Sequence, residues 1–451
     1  MKPYLLISTL LFFNMPFSFA QTGKTTYFLS LRQCVQIAVE ENINIRTARL
    51  EAEKSRHRKA EAISAIIPKV SIGGNFQNNL KLQTVPLSLE MNGVDMSGTV
   101  QMGEKFSTAA AATLNWVLYN QTAITAMQLS NKIIELNNLG IEKAGEGLAA
   151  AVARLYFLAL VTSQQKNLID ENIARTERIQ DIVKVLVDNG MAKQVDFDRI
   201  SINLENLYTQ QSNAEAALEQ QHNMIKYMLN IPLNARLVLT DDFEMKLLQN
   251  PPEITVNFSN HVDIRLLESQ QEVNRINRRV INSGYVPSLV FTGQYAVQGQ
   301  RSEFRNYFNN SPDNVWYNSS YIGLGLSIPV FDGFERRSRS RQARMDYLIT
   351  EGLLADTKEK FTADYQNAVN NYHNSKMNLM RQEKNIRLAE RVYDETALKY
   401  REGLATMSAL LQDEMSLSAA QANYLNALFS YREAEIEIMS MNSDIRNLSE
   451  P

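Results

Sequence analysis

The sequence has a single cysteine, Cys34, among 451 residues, so no disulfide can form within one chain. Histidine is scarce as well: His57, His222, His261 and His373 are not paired at helical metal spacing, and soft ligands for a transition metal are few. No Ser-centred elbow and no phosphate-cradling Gly loop stands out. Cys34, on an early helix, reads as a buried, inert thiol rather than a nucleophile. Catalysis, a resident metal and a cofactor are all unexpected, and no catalytic or metal residues are assigned. An excess of one charge is missing too. Forty-six basic side chains face forty-nine acidic ones, and no basic block is interleaved with aromatics, which leaves a nucleic-acid surface without support.

Long apolar runs are lacking beyond the N-terminus, and no stretch after residue 20 is expected to cross a bilayer as a helix. At the N-terminus, Lys2 precedes an apolar run over 4–13, and Ser18-Phe19-Ala20 puts small residues where a signal peptidase reads. Residues 1–20 therefore read as an export signal cleaved before Gln21. A short membrane anchor is the alternative, but the run falls below the ~20 residues a spanning helix needs. With no cysteine just after the run, lipid attachment at that point is not available.

Proline is sparse and uneven. The spans 87–231 and 330–450 contain none and are rich in Ala, Leu, Glu, Gln, Lys and Arg, which marks helical territory. The spacing predicts helices over 122–187 and 194–230 in the first span, and over 334–400 and 408–443 in the second. Apolar stripes support them: Ile169, Ile173, Ile179, Val183 and Leu186 in one, Ala389, Val392, Thr396 and Tyr400 in the other. Asn189-Gly190 and Glu402-Gly403 supply the stops between each pair, since Gly tolerates the left-handed conformation that closes a helix. Helices this long should pair as antiparallel coiled coils, in a membrane-attached tube or in a soluble spectrin-like bundle.

The chain also repeats itself. Shifted by about 219 positions, Asn44-Ile45-Arg46 falls on Asp263-Ile264-Arg265, Arg56 on Arg275, Pro68 on Pro287 and Gly74 on Gly293. Each half reads helix, strand, long loop, strand, very long helix, Gly turn, return helix. The organisation is a first repeat over 21–230, a linker over 231–260 with short helix or strand in it, and a second repeat over 261–451. Strands are expected at 69–81, 107–119, 288–298 and 319–331. Val70, Ile72, Phe76 and Leu80 take one face of the first, with Ser71, Gly73, Asn75 and Gln77 on the other. Such strands suit a transmembrane barrel with a wet interior or one sheet of a soluble sandwich. Four strands cannot close a barrel, so in lipid other copies must seal the edges: two would give eight strands and a filled interior, three would give twelve and room for a channel.

The duplicated Gly-centred turns, Asn189-Gly190-Met191-Ala192 and Glu402-Gly403-Leu404-Ala405, resemble the paired periplasmic tips of the TolC-like outer-membrane efflux protein family. Leu29-Ser30-Leu31, followed by Cys34-Val35, Ala38 and Glu41-Asn42, is similar to that family's opening helix. The resemblance covers nearly the whole mature chain and implies a mostly α fold with a membrane β-barrel. It implies a homotrimer in the outer membrane, four strands per chain in a twelve-stranded barrel, and a helical tunnel in the periplasm. The duct would be passive, docked at those eight tip residues by a periplasmic adaptor and served by an inner-membrane RND or ABC-type transporter, for efflux or type I secretion. Tyr400 and Asp196 match positions that hold such a tunnel shut, a phenol donating to a carboxylate. Ala405 stands where the family has an arginine, with Arg401 as a substitute. Ala409 and Gln412 replace the carboxylates expected at the constriction, with Asp413 one place on. The competing reading is a non-conducting, membrane-anchored trimeric spacer or adhesin. The cargo, and the order of residues in the outer loops at 82–105 and 299–318, carry no legible signal.

Overall fold

The helices follow from local signals that the structure realises residue by residue. The computed structural model describes residues 25–448 apart from 92–93, 244, 246, 248–260 and 310–313; the export segment over 1–20 and half of the 231–260 linker lie outside these residues. After a short strand β1 (Thr26–Leu29), helix α1 (Leu31–Glu41) is opened by a reciprocal capping box between Ser30 and Gln33. Asn42 then caps α2 (Ile43–Ser64). Asn120 caps α3 (Gln121–Asp188), whose 68 residues make a rod of about 100 Å at ~1.5 Å per residue. Helix α4 (Gln194–Met228) returns along it. In the second half α5 (Val262–Ser283), α6 (Glu335–Arg401, 67 residues) and α7 (Met407–Met441) repeat that order, with α5 packed on both α3 and α6.

The remaining strands are β2 (Lys69–Asn78), β3 (Gln83–Met91), β4 (Val94–Met102), β5 (Phe106–Tyr119), β6 (Arg236–Leu239), β7 (Ser288–Arg301) and β8 (Tyr317–Ser327). Four of them form an antiparallel sheet in the order β2-β5-β7-β8, so the two halves of the chain meet at the β5–β7 ladder. The register puts Val70, Ile72, Phe76, Leu114, Trp116, Phe291, Val297, Ile322, Leu324 and Leu326 on one face. The other face carries Ser71, Asn75, Gln77, Thr113, Asn115, Gln294, Gln298 and Gly323. Among the described residues the outer edges of β2 and β8 have no strand partner.

Three expectations need correction. The fourth strand ends at Ser327 rather than 331, because Pro329 has no N–H to continue a ladder. The segment over 82–105, read as a loop, folds as the β3–β4 hairpin, paired from Gln83↔Met102 to Met91↔Val94. The expectation that no later helix is apolar enough to span a bilayer also fails: α3 contains an 18-residue window of mean hydropathy 1.5. The reason is packing, since 56% of that window is buried inside the chain. Residues Ala149, Ala153, Tyr156, Phe157 and Leu160 of α3 are enclosed by Leu31, Val35 and Ala38 of α1, by Ile225 of α4 and by Ile436 of α7. A helix with neighbours on several sides must be apolar on several sides. The same core includes Leu237 of β6, which lies within the linker segment and pairs in parallel with β1.

Candidate functional site

The two Gly turns are built alike, atom for atom along the main chain. In the first, the amide of Met191 donates to the carbonyl of Leu186 at 2.8 Å and that of Gly190 to Val187 at 2.9 Å. In the second, Leu404 donates to Lys399 at 2.7 Å and Gly403 to Tyr400 at 3.0 Å. This is the Schellman arrangement, which requires a left-handed residue, and Gly190 and Gly403 have φ of +70° and +75°. No atom lies within 4 Å of where a Cβ would stand on either, so the backbone angle alone selects glycine. The next residue in each turn is apolar and exposed: Met191 is 77% exposed and Leu404 75%. Asn189 and Glu402 are exposed, Ala192 and Ala405 half-buried. All eight tip residues therefore lie at two equivalent surface turns.

Behind the turns the hairpins close over a small core in which Val183, Ile200, Tyr393, Met407, Leu410 and Leu417 are buried and Tyr400 packs half-buried against them. Tyr400 and Asp196 are brought near one another. Burial first, and then the Asp196 charge, pushes the Tyr400 phenol above its usual pKa. No hydrogen bond joins the two among the described residues; the Asp196 carboxylate instead meets Arg199 at 3.4 Å. Arg199 also donates to Ser408 Oγ at 3.1 Å, a bond from α4 to α7. Arg401 is exposed and lines a groove of about 570 Å³ with Arg175, Arg178, Ile179, Tyr393 and Tyr400. Asp413 is half-buried on α7, and neither it nor Arg401 has an ion-pair partner among the described residues.

The strongest connection between the hairpins was not visible in the sequence. Glu414, next to Asp413, is only 6% exposed and accepts from Thr176 Oγ1 at 2.6 Å and from Asn203 Nδ2 at 2.7 Å. One carboxylate thus ties α7 to both α3 and α4. Burial raises its pKa, opposed by those two donors and by the charge of Arg175. Arg175 itself lies over the ring of Tyr393 at 4.9 Å, and burial pushes that phenol up to about 12. Farther from the tips, Asn172 donates to Gln421 Oε1 at 3.0 Å. These contacts join residues more than 200 positions apart, so only spacing against a partner helix would reveal them.

No group of three His, Cys, Asp or Glu side chains among the described residues is arranged to hold a metal ion. Cys34 is buried, and burial followed by the nearby Asp241 charge pushes its thiol up to about 12. That thiol is inert at neutral pH.

Residues 258–442 match the outer membrane efflux protein family. Over 397 residues the chain is 22% identical to the outer membrane protein TolC of Vibrio cholerae serotype O1, covering 86% of this chain and 84% of that protein. Its fold is similar to the crystal structure of the outer membrane protein VceC from Vibrio cholerae, with a TM-score of 0.72 at 11% identity over 91% of this chain and 95% of that one. The Campylobacter jejuni CmeC outer membrane channel is similar over 99% of this chain and 98% of its own, with a TM-score of 0.72 at 14% identity.

Proposed function

We propose, from the premise that this chain is a TolC-like outer-membrane efflux protein, that three copies assemble into the passive exit duct of a tripartite efflux or type I secretion system. The protein is an outer-membrane channel of a Gram-negative type of envelope, with its helical tunnel in the periplasm, and it belongs among transporters rather than enzymes. The observation that carries the trimer is the four-stranded sheet with one apolar face, one polar face and, among the described residues, two open edges. In lipid each unpaired backbone group costs several kcal/mol, so β2 and β8 need strands from neighbouring copies. Three copies give twelve strands around a wet interior, with the apolar face toward outer-membrane lipid. Repeats over 21–230 and 261–451 then supply equivalent walls of the tunnel, and the 231–260 linker is its belt.

The tips at Asn189-Gly190-Met191-Ala192 and Glu402-Gly403-Leu404-Ala405 are the docking points for a periplasmic adaptor, which links the duct to an inner-membrane RND or ABC-type transporter. Exposed Met191 and Leu404 offer apolar anchors there. Tyr400, Asp196, Arg401 and Asp413 form the gate region. Asp196 acts through Arg199 and Ser408 as well as through its proximity to Tyr400. Single bonds of this kind contribute about 0.5–1.5 kcal/mol net, which threefold symmetry multiplies while a partner can still undo them.

The test is single-channel conductance of the purified trimer in planar bilayers, comparing the unmodified protein with Tyr400→Phe plus Asp196→Ala. A small conductance that rises several-fold in the double variant supports a duct gated at these positions. Stable trimers that never conduct in either form would replace it with the non-conducting spacer or adhesin, and protease access to residues 185–195 from outside the cell would then tell on which side the helices lie.

A further inference from the structure

The described residues of the β7–β8 connection, 302–309 and 314–316, do not leave the sheet at its far end but fold back across the apolar face. Arg301, the last residue of β7, shares that face with Phe291, Tyr295, Val297 and Gly299. Beyond it a 3-10 turn (Phe304–Tyr307) crosses toward β2. The Phe304 ring stands edge-on to Phe76 at 5.5 Å and to Phe106 at 5.9 Å. The Tyr307 hydroxyl donates to the Gly299 carbonyl at 3.1 Å, and the Trp316 ring covers Gly299 so closely that a Cβ there would come within 3.2 Å of it.

Arg301 pins this connection down. It is 1% exposed, donates to the Val315 carbonyl at 2.9 Å and to Asn314 Oδ1 at 2.7 Å, and lies over the rings of Tyr307 at 5.1 Å and Trp316 at 5.6 Å. No carboxylate pairs with it among the described residues. Yet the surface it secures is apolar: Phe76, Phe304 and Trp316 remain exposed, and Phe308 is 78% exposed. A loop bathed in water gains nothing from fixing such rings outward, whereas aromatic rings are favoured at a membrane interface.

We infer that residues 304–308 and 314–316 are an aromatic clip seated in the lipid of the outer leaflet, on the outside of the barrel wall, and not part of a loop projecting into the medium. The inference rests on the barrel reading, which puts the apolar face toward lipid and the helices in the periplasm. The spacing agrees. Trp116 pairs with Phe291 near the helical end, and Trp316 sits on Gly299, eight residues farther along β7. Eight residues span about 26 Å along the strand and about 20 Å of depth at a tilt of ~40°, close to the ~25 Å apolar band of such barrels. The two tryptophans therefore bracket the hydrocarbon layer, with the clip supplying its outer aromatic girdle.

These are the only tryptophans in the chain, so each can be isolated. Trp116→Phe leaves Trp316 as the sole reporter, and Trp316→Phe leaves Trp116. The full-length trimer is reconstituted into phosphatidylcholine vesicles with or without brominated acyl chains, and fluorescence is also titrated with aqueous iodide. Both reporters should lose at least half their emission to brominated lipid, with Trp316 quenched most by bromines near the headgroup and little by iodide. Adding Arg301→Gln, or Phe304→Ser with Phe308→Ser, should at least halve the lipid quenching of Trp316 and leave Trp116 unchanged. Quenching of Trp316 by iodide alone would overturn the inference in favour of a loop in water. Protection from both quenchers would overturn it in favour of packing against a neighbouring copy. If Trp116 also escapes the brominated lipid, it is the barrel reading that fails, and the clip falls with it.

Discussion

The two helix turns share a backbone and part company in the side chains that follow it. Three main-chain bonds recur at a constant spacing: Gly190 to Val187 and Gly403 to Tyr400, Met191 to Leu186 and Leu404 to Lys399, Ala192 to Leu186 and Ala405 to Lys399. Past the turn the chemistry separates. Thr406 caps α7 through its hydroxyl, which accepts from the Ala409 amide at 3.2 Å, whereas Lys193 opens α4 with no side-chain cap. The position of Glu414 in the second hairpin is that of Ser201 in the first, and Ser201 accepts from Gln180 at 2.9 Å and donates to the Phe197 carbonyl at 2.9 Å, both within its own hairpin. Glu414 thus gives the second hairpin a junction with both α3 and α4 that Ser201 does not give the first. The turn geometry is common to both because a tight Schellman turn demands it, whereas the side chains beyond it are free to differ, and Glu414 marks the place where they do.

The comparison can be broken most sharply at the glycines. Gly190→Ala and Gly403→Ala should each cost about 1–2 kcal/mol, because an L-residue is strained at these angles and no neighbouring atom adds to or offsets the strain. Thermal unfolding followed by helical circular dichroism should show nearly equal losses; a large loss at only one turn would mean the shared backbone is not what stabilises both. A smaller effect sharpens the difference between them. Thr406→Ala should lose about 1 kcal/mol of local stability, and Lys193→Ser should gain a comparable amount by supplying the missing cap. Hydrogen exchange at the amides of the first turns of α4 and α7 would report this. If Lys193→Ser leaves exchange unchanged, the uncapped start of α4 is not a weak point.

How much of this could be read in advance depends on the range of the interaction. The turns were legible because Asn189-Gly190 and Glu402-Gly403 follow apolar stripes and need only local backbone chemistry. The faces of the sheet were legible because period-two alternation in β2 and β8 survives without knowledge of a partner. The β3–β4 hairpin was missed although Asn92-Gly93 stands between its strands in the sequence, a dipeptide favoured in two-residue hairpin connections. Glu414 was out of reach: on its own helix it is one carboxylate among many, and only the approach of Thr176 and Asn203 from more than 200 residues away makes it a junction. The apolar window of α3 misled for the same reason, since its neighbours on α1, α4 and α7 come from distant parts of the chain. The aromatic residues over 304–316 acquire an order only once the register shows which face Arg301 and Gly299 belong to.

The subtlest expected difference between the hairpins is in their response to pH. Burial raises the pKa of Glu414 above its ordinary value of 4.5, and the Thr176 hydroxyl, the Arg175 charge and the Asn203 amide only partly offset this. The folded protein therefore holds this proton more tightly than the unfolded chain does. The resulting stabilisation is fully present below the ordinary carboxyl pKa and is lost as pH rises through the raised folded value. Ser201, its counterpart, does not titrate. The unfolding temperature of Glu414→Gln, measured from pH 4 to 8, should accordingly gain on that of the unmodified protein as pH rises, whereas Ser201→Ala should run parallel to it. Glu414→Gln curves parallel to the unmodified protein would mean that Arg175, Thr176 and Asn203 together balance the burial, and that the anchor between the hairpins works equally well charged or neutral.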